Sequence, residues 1–111
     1  MGPEARAKGA ARVNIVWSRR AIAHLTDLRA YIARESPDAA ERVAVALLAA
    51  VERLATMPNL GRPGRVPATR ELVVPDTPYV IPYRVRGRHL EILAVFHGRQ
   101  KWPARLSPVR K

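Results

Sequence analysis

Cysteine is absent from the 111 residues. That excludes a disulfide framework, a thiolate zinc site and a cysteine nucleophile, and it fits a reducing compartment. Long apolar runs are also missing. The longest nearly uncharged stretch, VAVALLAAV, is nine residues, against the roughly 20 that a membrane-spanning helix needs. No apolar segment follows the charged opening MGPEARAKGAAR, so a signal peptide is not expected and residues 1–12 read as a tail. Together these absences predict a soluble, cytoplasmic chain with no membrane partner. Chemistry motifs are equally scarce, with no phosphate-binding glycine loop, HExxH, GxSxG or CxxC in the sequence. His24, His89 and His97 lie on different predicted elements without metal-ligand spacing, so neither a metal nor a cofactor is expected.

Acidic residues are few as well, and what outnumbers them is the strongest bulk signal. Twenty Lys and Arg face nine Asp and Glu, a formal charge of +11. The imbalance is concentrated, since residues 1–57 carry a net +3 and residues 58–111 a net +8. A basic half of this kind is the footprint of a polyanionic partner such as RNA, DNA or an acidic protein. Arg/Ala-biased residue usage, with seventeen of the twenty cations Arg, would give the same count without a function.

The pattern of apolar residues resolves into elements of a single α+β domain over residues 13–103, followed by a basic tail at 104–111. VNIVW (13–17) reads as a strand. Ser18 can cap a helix carrying Ala21, Ile22, Leu25, Leu28 and Ile32 at helical spacing. In ESPDAAE, Ser36 suits an N-cap, Pro37 the first helical position and Asp38 the first turn. The second helix repeats Ala40, Val43, Leu47, Val51 and Leu54, and should end before Met57-Pro58. The short join predicts an antiparallel helical hairpin. Pro58 to Thr69 is a loop by its Pro and Gly content. Three strands are then expected, RELVV (70–74), YVIPYRVR (79–86) and HLEILAVF (89–96). The resulting order is β-α-α-β-β-β, a helical hairpin packed on one face of a small, mainly antiparallel sheet.

A two-residue turn at Gly87-Arg88 predicts a register. It sets Val85 opposite Leu90, Tyr83 opposite Ile92, Ile81 opposite Ala94 and Tyr79 opposite Phe96, an apolar face for the helices. The other, open face then carries an Arg84/Glu91 ion pair, Val80, Leu93 and Val95, with His97 at the end of the row. Pro82 cannot donate to a ladder and implies an edge or a bulge.

These features, with GRPGRVPATRELVV, YVIPYRVRG and LEILAVFHGRQKWP as they stand in the sequence, resemble the RelE/ParE superfamily of type II toxin–antitoxin toxins over about residues 13–103. The resemblance implies a growth-inhibiting toxin held by a cognate antitoxin. RelE-like members cut mRNA in the ribosomal A site, and ParE-like members poison DNA gyrase without cutting RNA. Positions where the cutting branch carries two lysines and its first arginine hold Glu71, Val73 and Val80 here, and the ParE-like ending of His followed by Met-Asp is replaced by HGRQKWP. His97 and Arg99 are the candidates for metal-independent RNA cleavage, because an imidazole titrates near working pH and a guanidinium can bind a crowded phosphate. Glu52 is a helical glutamate of the kind some relatives use as a base. Arg62, Arg65, Arg70, Arg84, Arg86 and Lys101 are candidates for gripping the target. The open face with Val80, Leu93 and Val95 is the expected seat of an acidic antitoxin segment. Tyr79 and Tyr83 read as packing residues, and Trp102 as a cover for the core edge. Ribosome-dependent mRNA cleavage is the first expectation for the target. A gyrase poison is the second, and a non-toxic nucleic-acid-binding module the third.

Overall fold

The computed structural model describes residues 12–103, 105 and 106. Most of the two expected tails lies outside the described residues. Strand β1 (Asn14–Trp17) leads into helix α1 (Arg19–Ala33) and helix α2 (Pro37–Arg53). Short strand β2 (Arg62–Pro63) is followed by β3 (Arg70–Val73), β4 (Tyr79–Arg86), β5 (His89–Ile92) and the two-residue β6 (Phe96–His97). Both expected caps form, with the Ser18 hydroxyl accepting from the Ala21 N–H and that of Ser36 from the Ala39 N–H. Each satisfies one of the donors that a helix start leaves unpaired. No helix among the described residues is long and apolar enough to cross a membrane.

The sheet runs β1-β5-β4-β3-β2, with β6 returning to pair with β4. β1 lies parallel to β5, and the other pairings are antiparallel. The helical hairpin covers one face. Its buried Ala21, Leu47, Ala50, Val51 and Leu54 close on Leu72, Val74, Ile81, Tyr83, Leu90, Ile92 and Val95. At roughly 25 cal/mol per Å² of apolar surface removed from water, this contact is the main source of stability. Ile22, though on the predicted stripe of the first helix, remains exposed.

The Gly87-Arg88 turn forms with Gly87 at φ 59°, a left-handed conformation that favours glycine. The expected register holds through Tyr83↔Ile92. Beyond that point it slips by one residue, because β6 pairs as Val80↔Phe96 and Tyr79↔His97. The extra residue is accommodated at Leu93–Val95, opposite Pro82, which has no N–H to give a ladder. A one-residue slip moves every later side chain to the other face. His97 therefore shares the Tyr79 side instead of the open face, and Phe96 joins a second apolar cluster instead of the helix-covered core.

That second cluster lies across part of the face expected to stay open. Val66, Leu93, Ala94, Phe96 and Leu106 pack together with Trp102 beside them. The loop before β3 and the segment after β6 are thus drawn across the face predicted to be open. Val80, Leu93 and Val95 are all buried, and offer no apolar surface to a partner. Because Leu106 is part of this cluster, the packed domain reaches past the expected limit at 103.

The bulge is held from the helix side. Ser18 donates its hydroxyl to the Leu93 carbonyl at 3.0 Å while it caps α1. Nδ1 of His24 accepts the Val95 N–H at 3.1 Å. Backbone groups released from the ladder are thereby satisfied by two α1 side chains.

Candidate functional site

His97 sits at the tip of β6. Its backbone N–H donates to Oε1 of Gln100 at 3.0 Å, and its Nδ1 accepts the Arg99 N–H at 3.2 Å. Tyr79 meets the imidazole edge-on at 5.8 Å between centroids. The ring is exposed and opens on a groove of about 280 Å³ lined by His24, Asp27, Leu28, Tyr31, Tyr79, Val95 and Gln100. Arg99 and Lys101 are exposed on the following turn and do not line this groove. Glu52 is elsewhere, accepting an ion pair from Arg12 at 2.7 Å. Among the described residues the groove thus holds two imidazoles and a carboxylate but no guanidinium or ammonium.

Burial, assisted by the nearby Arg20 charge, lowers the His24 pKa from its usual value. Protonation would also remove the lone pair that receives the Val95 N–H. A histidine held neutral in the fold binds fewer protons there than in the unfolded chain. Stability should therefore rise with pH below about 6.5, between the folded and unfolded pKa values. In a His24→Asn variant, urea unfolding across mildly acidic pH should show this slope reduced.

The cations expected at the site are largely committed to the fold. Glu71 is 2% exposed and forms the hub of the loop before β3. Its Oε1 accepts from Arg62 Nε and Nη2 at 3.2 and 3.0 Å. Its Oε2 accepts from the Arg65 backbone N–H and Nε at 2.7 and 3.0 Å. Burial acts to raise the Glu71 pKa, but the hydrogen bonds from Arg65 and Arg62 outweigh it and the net shift is downward. The Arg65 guanidinium also lies 3.7 Å over the Trp102 ring, which in turn stacks at 4.8 Å on Phe96. Trp102 therefore covers the edge of the second cluster, as expected. Arg70 donates Nη1 to the Gly61 carbonyl at 2.7 Å, and Arg84 pairs through Nε with Glu91 at 3.1 Å. The predicted Arg84/Glu91 pair is present.

Arg86 is exposed at the turn end of β4, while His97 pairs at the other end of that strand. Seven residue steps of strand separate them, roughly 20 Å. The structure thus distributes the candidates over two ends of the sheet. It brings Arg70 and Arg84 to one cavity and leaves His97 in another.

Three residues that organise this surface were not candidates in the sequence. Glu71 stood out only as a departure from the lysine pattern, although an acidic residue just after the basic GRPGR run was a signal for a local ion-pair hub. Ser18 was assigned a cap but not the bulge contact. His24 lay off the apolar stripe, and nothing local to it announces a partner 71 residues away.

A family model for the ParE toxin of type II toxin–antitoxin systems (parDE) matches residues 15–102. The chain belongs to this family. This ParE-family toxin is 50% identical over 92 residues to a Sinorhizobium fredii chain named as toxin Y4kP, covering 83% of this chain and 95% of that one. It is 41% identical over 84 residues to Toxin RelE2 of Caulobacter vibrioides, covering 76% and 93% respectively. A solved chain of the chromosomal ParDE system from P. aeruginosa superposes with a TM-score of 0.71 at 27% identity, covering 79% of this toxin and 98% of that chain. The match confirms the RelE/ParE-like α+β fold. Membership makes the protein a toxin of a type II pair and implies a cognate antitoxin.

Proposed function

We propose that this toxin arrests growth by binding its target without cutting RNA, and that the target is DNA gyrase. The observation that carries this reading is the lining of the His97 groove, which among the described residues includes the Asp27 carboxylate and no cation. Cleavage at a phosphodiester needs proton transfer together with cationic support for a crowded, charged phosphate. His97 could move a proton, but the groove around it would repel the phosphate. Four of the basic candidates hold loop or strand partners. The ribosome-dependent cleavage expected first from the sequence retains one supporting feature, the exposed imidazole followed by Arg99 and Lys101. An acidic antitoxin is the complementary partner for a chain of formal charge +11.

The test is induction of the toxin alone, with primer extension on translated messages and a supercoiling assay on purified gyrase. Intact messages with inhibited gyrase are expected. In-frame cuts with unaffected gyrase would overturn the proposal. A His97→Gln variant should keep its toxicity to within about a factor of two, whereas a general acid or base would be worth roughly 100-fold or more.

A further inference from the structure

We infer that the groove beside His97 receives an arginine side chain presented by a protein partner, with the Asp27 carboxylate pairing with the guanidinium and the Tyr31 and Tyr79 rings flanking it. The lining alone carries this, whichever macromolecule the toxin disables.

The groove is assembled from one face of α1 and the end of the sheet. His24, Asp27, Leu28 and Tyr31 follow at i, i+3, i+4 and i+7, the spacing that aligns side chains along one side of a helix. The Val95 N–H bound by His24 holds that side against the bulge before β6. Tyr79 and His97, paired across β4 and β6 and in edge-on contact, close the groove opposite. Asp27, Tyr31 and His97 are exposed and Tyr79 is half-buried, so the groove is open to an incoming side chain. Burial, with the neighbouring Tyr31 phenol adding to it, raises the Tyr79 pKa and keeps that hydroxyl neutral.

Charge chooses the ligand. Asp27 makes no ion pair among the described residues, although the chain holds twenty Lys and Arg against nine Asp and Glu. Three further cavities on the described surface each have an arginine in their lining, and this one has none. Both imidazoles already spend Nδ1 on a backbone N–H. Among the lining residues the Asp27 carboxylate is therefore the group left to meet a charge. A carboxylate beside aromatic faces attracts a cation through its own charge and through the ring quadrupoles together. Arginine suits the groove better than lysine, because a planar guanidinium lies flat on a phenol ring while its fork engages both carboxylate oxygens. Its methylene stem has Leu28 and Val95 to pack on. The toxin's own Arg34 guanidinium already lies 5.9 Å from the centre of the Tyr31 ring, without joining the groove lining.

The experiment titrates the purified toxin with a capped Gly-Arg-Gly tripeptide at constant ionic strength and follows the Tyr79 and His97 ring resonances by NMR. Saturable shifts are expected, with a Kd on the order of millimolar. The lysine tripeptide should bind more weakly, and the citrulline tripeptide, which keeps the shape without the charge, at least tenfold more weakly. Asp27→Asn should weaken arginine binding at least tenfold, and Tyr31→Ala about threefold. Tyr31→Phe keeps the ring and should bind within a factor of two of the parent. Both positions are exposed on α1, so the amide spectrum away from the groove should be unchanged in each variant. Glu35→Gln removes an exposed carboxylate outside the groove and should bind as the parent does. Non-saturating shifts, citrulline binding as tightly as arginine, or unimpaired binding by Asp27→Asn would overturn the site. Lysine binding as tightly as arginine would overturn its assignment to a guanidinium. Neither gyrase nor message enters this titration, so its outcome is separate from those of the supercoiling and primer-extension assays.

Discussion

Replacing Tyr83 by Phe should destabilise the toxin by about 3 kcal/mol, lowering its melting temperature by on the order of 10–20 °C. The ring is fully buried beneath the helical hairpin. Its hydroxyl reaches out of the core to hold the chain between α2 and β2, donating to the Pro58 carbonyl at 2.7 Å and accepting the Gly61 N–H at 2.8 Å. Burial raises the phenol pKa above its usual value, so the group remains a donor throughout the physiological range. Phenylalanine would preserve the packing while leaving a buried N–H and a carbonyl without partners, each costing about 1–3 kcal/mol. The approach is so close that a Cβ at Gly61 would stand 2.7 Å from the Tyr83 ring, so the loop cannot shift inward to compensate. Thermal melts followed by circular dichroism measure the effect. Tyr79→Phe serves as the comparison and should cost less than about 1 kcal/mol, since the Tyr79 hydroxyl has no hydrogen-bond partner among the described residues. Equal losses in the two variants would show that the hydroxyl clamp contributes nothing specific.

Glu71→Gln should be the second large loss, about 2 kcal/mol at neutral pH, with its size governed by acidity. The amide keeps the shape of the side chain but gives up the charge that both guanidinium groups address. A fully buried ion pair broken on one side costs about 3–5 kcal/mol. Here Arg62 and Arg65 are 55% and 43% exposed and can return to water, so the lower figure applies. The carboxyl is held below its usual pKa, so the folded state binds fewer protons than the unfolded chain wherever the two differ. Its stabilisation is complete above the unfolded value near 4.3 and is lost as pH falls through the depressed folded value. Urea midpoints of parent and variant should therefore lie apart at neutral pH and converge in acid. A gap that persists in acid would mean that Glu71 acts through packing alone. Trypsin adds a local readout, because cleavage after Arg65 should accelerate once the carboxylate hub is gone.

The path from sequence to structure was clearest where the cause was local. Ser36-Pro37-Asp38 placed the start of α2, Gly87-Arg88 fixed the β4/β5 register, and the apolar stripes named most of the core. Pro82 even marked the position of the irregularity. Its direction was not legible, because the choice between continuing the ladder and adding a residue depends on what satisfies the displaced backbone. Those groups are met by Ser18 and His24, both more than 70 residues away in the chain. The single slip then carried His97, Phe96 and Val95 to positions that strand alternation could not anticipate. The internal ion pairs of several candidate cations were hidden for a related reason. An arginine's type announces that it can bind a phosphate, but whether it is already occupied depends on a carboxylate such as Glu71, brought beside it only by the folded loop.

The parallel pairing of β1 with β5 has a consequence for how the toxin is made. Asn14 lies beside His89 and Trp17 beside Ile92, so the first strand cannot find its place until the penultimate stretch of strand has been synthesised. Contacts so distant along the chain form late and slowly. Because chain growth proceeds at about 5–20 residues per second, the nascent polypeptide spends seconds with its amino-terminal strand unpaired. During most of translation the cell therefore carries an incomplete, unarmed chain, and the antitoxin has that interval in which to meet it.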